Sequence, residues 1–276
     1  MNISKLRTMA AIAAATATAL VLNTSSATAT PDRDDPGILS SDGLILTGDW
    51  NGDGIDTPGF FFGGFWYLHD SNTSGGPEIA FQYGDDSEEG FPVVGDWDGD
   101  GFDTVGLVRG DTWLLSNFLG NGFADVVYKY GDPNETGFPV AGDWNEDGID
   151  TPGLVRDNRW LLRNANSGGR ADIDFTYGSQ NETGSPLVGD WNGNGTDSPG
   201  LVRDGVWLLR NSNTSGPANL TFAYGNPVPL HWPTAGDWDG NGTGTPGVVD
   251  LNQSPFVWHL RNTNDSGIAD VTFNYF

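Results

Sequence analysis

Gly48-Asp49-Trp50-Asn51-Gly52-Asp53-Gly54-Ile55-Asp56 decides the reading of this 276-residue chain, because it returns. The triplet Gly-Asp-Trp starts again at Gly95, Gly142, Gly189 and Gly236, a step of 47 residues each time. Trp66, Trp113, Trp160 and Trp207 keep that step before a four-residue insertion carries the fifth member to Trp258. Tyr83, Tyr130, Tyr177, Tyr224 and Tyr275 repeat the spacing and the late shift. A fixed period of this length marks a modular architecture in which each unit buries its faces against the next.

Within a copy, Leu220-Thr221-Phe222-Ala223-Tyr224 and its counterpart Val271-Thr272-Phe273-Asn274-Tyr275 alternate large apolar with smaller or polar residues. That is the period of a half-buried strand. Upstream, residues 206–209, 200–203 and 186–191 read as three further strands, separated by turn-forming clusters such as Asn192-Gly193-Asn194-Gly195 and Asp204-Gly205. No segment carries a 3.6-residue apolar period of helical length. A four-stranded antiparallel sheet of this size buries both faces by stacking on copies of itself, and radial stacking of such units is the propeller arrangement. The expectation is therefore all-β: a five-bladed β-propeller of five 47-residue, four-stranded repeats, with blades at 44–90, 91–137, 138–184, 185–231 and 232–276. The Gly-bearing first strand of each blade is expected innermost, on the crowded axis. An open stack or a ring closed by several chains is the competing arrangement, and the repeat itself leaves open whether one chain closes the ring.

The first thirty residues differ in kind. Lys5 and Arg7 precede an Ala/Thr/Val/Leu stretch from Met9 to Leu22 and the small triplet Ala27-Thr28-Ala29, the order of a secretory signal peptide. The apolar part would span roughly 21 Å as a helix, short of the ~30 Å core that a transmembrane helix crosses. Cleavage near Ala29, a linker over 30–43 and an extracellular location without membrane insertion are expected. Removing residues 1–29 takes away Lys5 and Arg7, so 37 Asp and Glu face 10 Lys and Arg, a net charge of −27. That excess argues against nucleic acid or an anionic membrane as partner and makes cations the natural counterpart. The chain has no cysteine, so neither disulfides nor a thiol nucleophile is available.

The segment after each Gly carries the chemistry. Asp96-Trp97-Asp98-Gly99-Asp100-Gly101-Phe102-Asp103 in the second copy matches the first in placing oxygen-bearing side chains at loop positions 1, 3 and 5 and Gly at position 6. Alternate residues of a tight turn point inward, Gly permits the bend, and the carbonyl of position 7 can add an oxygen; this is what a hard cation such as Ca²⁺ requires. Asx-turns that merely reverse the chain would explain one such loop. They do not explain five in register, four of them closed by a further Asp, at a repulsive cost that a cation would offset.

These loops resemble those of the FG-GAP/VCBS-type repeats of bacterial surface proteins and integrin α-chain propellers, over about 230 residues, nearly the whole mature chain. The resemblance implies a propeller with Ca²⁺ in the loop joining the first and second strands of each blade. Carried over by position, it gives Asp49, Asn51 and Asp53 as side-chain ligands and Ile55 as a carbonyl ligand. The family's closing Asp stands at position 9, whereas here Asp56, Asp103, Asp150 and Asp197 stand at position 8, followed by Thr or Ser. The candidate side-chain ligands are thus Asp49, Asn51, Asp53 and Asp56 in the first loop and Asp96, Asp98, Asp100 and Asp103 in the second. The third offers Asp143, Asn145, Asp147 and Asp150, the fourth Asp190, Asn192, Asn194 and Asp197, and the fifth Asp237, Asp239 and Asn241, with Gly244 in the closing place. Up to five Ca²⁺ are expected, bound tightest where carboxylates are most numerous, in the second loop, and weakest in the fifth.

Ten of the eleven Trp belong to the repeat frame, and Trp232 occupies the place of Phe91 and Phe138; packing between blades is their expected use. Arg109, Arg156 and Arg203 close the second strands and are expected to pair with acids. His69, His231 and His259 hold three unrelated repeat positions and suggest no metal triad. Variation between copies gathers on the face opposite the metal loops, in Asp85-Asp86-Ser87-Glu88-Glu89, in Asn226-Pro227-Val228-Pro229-Leu230-His231, and in the insertion within 251–256. The functional expectation is a secreted, monomeric binding or adhesion module for an extracellular glycan or protein. Its alternative is a propeller-scaffold hydrolase or lyase acting on extracellular polysaccharide, which requires a non-repeated acid, base and orienting group. No catalytic residue is assigned.

Overall fold

The structure, a computed structural model, describes residues 43–84, 90–131, 137–180, 184–225 and 231–276. The expected signal peptide, the expected linker up to residue 42, and segments 85–89 and 226–230 lie outside the described residues. The first blade is β1 (Leu44–Gly48), β2 (Thr57–Phe62), β3 (Phe65–Leu68) and β4 (Ile79–Gln82). The second is β5 (Phe91–Gly95), β6 (Thr104–Arg109), β7 (Thr112–Leu115) and β8 (Val126–Lys129). The third is β9 (Phe138–Gly142), β10 (Thr151–Arg156), β11 (Arg159–Leu162) and β12 (Ile173–Thr176). The fourth is β13 (Ser185–Gly189), β14 (Ser198–Arg203), β15 (Val206–Leu209) and β16 (Leu220–Ala223), and the fifth is β17 (His231–Gly236), β18 (Thr245–Asp250), β19 (Phe256–Leu260) and β20 (Val271–Tyr275). Each blade is an antiparallel sheet in chain order, and the five form an all-β, five-bladed propeller.

The inner strands β1, β5, β9, β13 and β17 neighbour one another in a closed circuit in which β17 meets β1, so a single chain closes the ring. Closure is also made at the rim. The Gly75 N–H donates to Asn274 O, the Asn274 N–H to Ser74 Oγ, and the Tyr275 hydroxyl to Tyr67 O.

The apolar core lies between blades. Trp66, Leu68, Phe81 and Tyr83 of the first blade pack with Val105 and Leu107 of the second, and Ile45, Phe60 and Tyr67 of the first pack with Trp258 and Tyr275 of the fifth. Trp66, Trp113, Trp160, Trp207 and Trp258 are 0% exposed, and the loop Trp50, Trp97, Trp144, Trp191 and Trp238 are nearly as deep. The repeated Trp residues are core, as their spacing predicts.

Strand ends differ slightly from the sequence reading. The inner strands stop at the Gly of Gly-Asp-Trp, and each second strand begins at the Thr or Ser directly opposite it, as in the Gly48–Thr57 pair. The Thr57 hydroxyl donates to Gly48 O, and Trp50 Nε1 donates to Pro58 O, folding the loop back onto its own blade. The Asp-Trp pair thus opens the loop rather than ending the strand. β17 begins at His231, one residue before the expected blade boundary.

Candidate metal centre

Five loops join inner to second strands on one face of the ring. The first is built from its leading carboxylate. Asp49 Oδ1 accepts the N–H of Gly52 and of Asp53, and Oδ2 accepts the N–H of Gly54 at 2.7 Å. The Ile55 N–H donates to Asp53 Oδ1 at 3.0 Å. The leading Asp thereby holds the turn while the side chains at positions 3 and 5 stand at the exposed edge. The bond from position 6 to the leading Oδ2 recurs at Gly101, Gly148, Gly195 and Gly242. Gly52 and Gly54 have φ of 73° and 82°, the left-handed region open to glycine. In the third loop Glu146 takes the place of Gly52 with φ of 64°.

In the second loop, carboxylate oxygens of Asp96, Asp98 and Asp100 lie within 4.8 Å of one another. Partial burial raises the Asp98 carboxyl, and the charges of Asp100 and Asp96 raise it further. A divalent cation would relieve that repulsion. In the other loops Asn replaces at least one of these carboxylates.

The position-8 carboxylates face the neighbouring blade. The Asp49 N–H donates to Asp103 Oδ2 at 2.9 Å, and the same bond joins Asp96 to Asp150, Asp143 to Asp197, and Asp237 to Asp56. Backbone bonds return in the other sense, from Asp103 N–H to Asp49 O and from Asp56 N–H to Asp237 O. Close approach is why the preceding strand ends in glycine: a Cβ on Gly95 would stand 2.7 Å from Asp150 Oδ2. At the seam between the fourth and fifth blades the Gly244 N–H still donates to Asp190 O, but among the described residues no side chain answers the Asp190 N–H. Position 9, where the resembled family has its closing Asp, is buried Thr or Ser whose hydroxyl donates to the inner-strand Gly carbonyl.

Asp56, Asp103, Asp150 and Asp197 line the loop-face end of the axial channel, a cavity of about 310 Å³. Burial pushes Asp103 and Asp197 up to about 7, with nearby acids adding to the effect. Burial followed by the charge of a fellow seam carboxylate drives Asp56 and Asp150 well above the usual carboxylate range. The other end of the channel is apolar, with Phe91, Phe138 and Trp232 at its lining.

A second set of seam contacts is absent from the sequence reading. Asn166 Nδ2 in the third blade donates to Trp97 O of the second and to Asp150 O, and Asn264 Nδ2 bonds Trp191 O and Gly244 O in the same way. The period marks these positions in Asn72, Asn166, Asn213 and Asn264, but hydrophilic loop composition concealed their role.

His69 stacks on Tyr275, the last residue of β20, with ring centroids 5.2 Å apart, and so belongs to ring closure. His231 faces Asp250 at 3.4 Å across β17 and β18. Asp250 stands where three other blades have Arg109, Arg156 and Arg203, and it also accepts bonds from Asn252 and Gln253 in the inserted loop.

No protein-family profile matches the sequence, and no curated protein matches it. Among solved structures, the chain is similar to a lectin of Agrocybe aegerita described for specific recognition of non-reducing terminal N-acetylglucosamine. The identity is 18%, the TM-score 0.45, and the alignment covers 83% of this chain and 66% of the lectin. It is also similar to part of the Photorhabdus luminescens Tc holotoxin pore, at 15% identity and a TM-score of 0.44, over 81% of this chain and 11% of that one. The chain thus spans about two thirds of the lectin and about a tenth of the toxin chain.

Proposed function

We propose that this chain is a secreted, calcium-stabilised propeller of the FG-GAP/VCBS type that serves as a binding module for an extracellular glycan or protein. The observation that carries the reading is the second loop, where three carboxylates converge within 4.8 Å at the edge of the ring, in a fold that repeats the same loop frame five times on one face. Convergence of like charges at an exposed edge has a physical purpose when a cation holds them. Ca²⁺ would fix the loops of that face, and the rigid disc would present the opposite face to its ligand.

That opposite face breaks the fivefold symmetry. In the fifth blade, Asp250, His231 and the inserted Asn252 and Gln253 form a hydrogen-bonded polar group where three other blades present Arg at the end of the second strand. A single ligand on a symmetric ring needs such a distinguishing patch. A glycan array probed with the mature protein, once with Ca²⁺ and once with EGTA, tests the proposal. Selective retention of one glycan class that weakens in EGTA is expected; release of reducing sugar from a retained glycan would instead favour the hydrolase reading.

A further inference from the structure

Position 5 of the loop is Asp53, Asp100 and Asp147 in the first three blades but Asn194 and Asn241 in the last two, and Gly follows in every case. Acid and amide occupy one frame. The N–H two residues on donates to Oδ1 of Asp53, Asp100 and Asp147, and in the same way to Oδ1 of Asn194 at 3.0 Å and of Asn241 at 2.9 Å. The following Gly N–H donates to the leading Asp, at 2.6 Å in both the Gly195–Asp190 and the Gly242–Asp237 pairs. An aspartate at 194 or 241 therefore fits the loop as it is already built.

The same frame activates the amide. A side-chain carbonyl that accepts the N–H two residues on closes a small ring through the backbone nitrogen between them, which draws Cγ of Asn194 toward Gly195 N and Cγ of Asn241 toward Gly242 N. The N–H of Thr196 or Thr243 polarises that carbonyl and serves the oxyanion that forms when it is attacked. Glycine brings no side chain to obstruct the approach. Asn194 and Asn241 are exposed, so water reaches them. The other Asn-Gly pairs differ. Asn51 has its Nδ2 held by Asp53 Oδ2 at 3.2 Å, and Asn121 turns its Oδ1 to the Gln82 N–H of the first blade. Among the described residues, no N–H of Asn194 bonds the Asn192 side chain.

We propose that Asn194 and Asn241 are sites of spontaneous deamidation in the folded protein, each yielding aspartate. The Gly N–Cγ bond forms, the Cγ–Nδ2 bond breaks, and the proton lost from Gly N departs with Nδ2 as ammonia. Water then adds to Cγ of the succinimide, the Cγ–N bond breaks, and a proton from that water restores the Gly N–H. Opening at Cγ gives aspartate, whereas opening at the backbone carbonyl would give isoaspartate. Cγ is favoured because its oxygen is the one held by Thr196 or Thr243, and because the restored Gly N–H returns to the leading carboxylate. The modification stands apart from the calcium reading. If that reading holds, every loop gains a carboxylate at position 5, and the ranking of loops by charge narrows as the protein ages.

Peptide mass spectrometry of the mature protein, incubated in EGTA at neutral pH both folded and in urea, tests it. Digests of Asn194→Asp and Asn241→Asp supply authentic product peptides. In the folded protein, loss of the amide at Asn194 and Asn241 is expected at least about tenfold faster than at Asn121, with products that coelute with the standards. In urea the turn is lost, and the three rates should converge. Equal rates in the folded protein, a slower loss at Asn194 and Asn241 than at Asn121, or isoaspartate as the main product would overturn the inference. None of these readouts involves metal, so its failure leaves the calcium reading standing.

Discussion

Asp103 and Asp49 exchange two hydrogen bonds across the seam between the first and second blades: the Asp103 N–H donates to Asp49 O at 2.8 Å, and the Asp49 N–H donates to Asp103 Oδ2 at 2.9 Å. The residue that heads one oxygen-rich loop is thereby fixed by the residue that ends the next. Loop geometry and blade packing are one structure, and a change at either place is felt at the other. Four seams carry the reciprocal pair, and the seam at Gly244 carries only the backbone half.

The seam carboxylates make stability depend on pH. Asp103 and Asp197 rise from an ordinary 3.8 to about 7 in the folded ring. A folded-state value above the unfolded one favours the protonated native form, so the contribution is complete below about pH 4 and is lost as pH rises through about 7. Metal-free protein should therefore melt at a higher temperature at pH 5.5 than at pH 8. Asp103→Asn keeps an oxygen for the Asp49 N–H and removes one titrating buried carboxyl, and it should raise the melting temperature at pH 8 by more than at pH 5.5, flattening the pH slope. Equal pH slopes for parent and variant would show that Asp103 is not held protonated.

Among the described residues, the seam at Gly244 has no side-chain acceptor, and a Cβ on Gly244 would lie 3.3 Å from the Asp190 N–H nitrogen. Gly244→Asn places a neutral oxygen there. A net gain of about 1 kcal/mol is expected from one added hydrogen bond, read as a shift in the urea midpoint at unchanged slope. Loss of stability would mean that the tight contact outweighs the bond.

Glu146 occupies a left-handed position that glycine holds in the other four loops. Left-handed backbone costs a side-chain-bearing residue about 1–2 kcal/mol, and glycine gives back about 0.5–1 kcal/mol through the flexibility of the unfolded chain. Glu146→Gly should therefore stabilise metal-free protein by roughly half to one kcal/mol, the difference of those two effects. Urea denaturation in EGTA reads it directly.

Among the loops, charge should order affinity. Asp100→Ala removes a carboxylate from the second loop, whereas Asn241→Ala removes a neutral oxygen from a fifth loop that holds only Asp237 and Asp239 as acids. Affinity follows ligand charge and site rigidity. Calorimetry should show the larger loss of bound Ca²⁺ in Asp100→Ala; equal losses would mean that backbone oxygens and loop geometry set the order.

The fold was legible because the tandem period is written in residues that packing cannot replace cheaply. Trp66 and its four equivalents are fully buried, and Gly48 and its equivalents leave room on the crowded axis. Closure of the ring by one chain was not legible, because it depends on contacts such as Tyr275 with Tyr67, 208 residues apart. At the loops, the sequence identified the oxygen-rich frame at Asp49, Asn51 and Asp53. It could not show that Asp56 turns to the fifth blade, since a carboxylate at the end of a turn reads alike whether it serves its own loop or the neighbour's.

The most direct test of the account is the melting temperature of the mature protein with saturating Ca²⁺ and with EGTA, at one pH and ionic strength. A site held at a hundred times its dissociation constant contributes about 2.7 kcal/mol, and sites that unfold together contribute jointly. The account predicts a melting temperature several degrees higher in Ca²⁺, with a smaller gain in Mg²⁺, which demands a stricter octahedron than these loops provide. Superimposable curves in Ca²⁺ and in EGTA would contradict it.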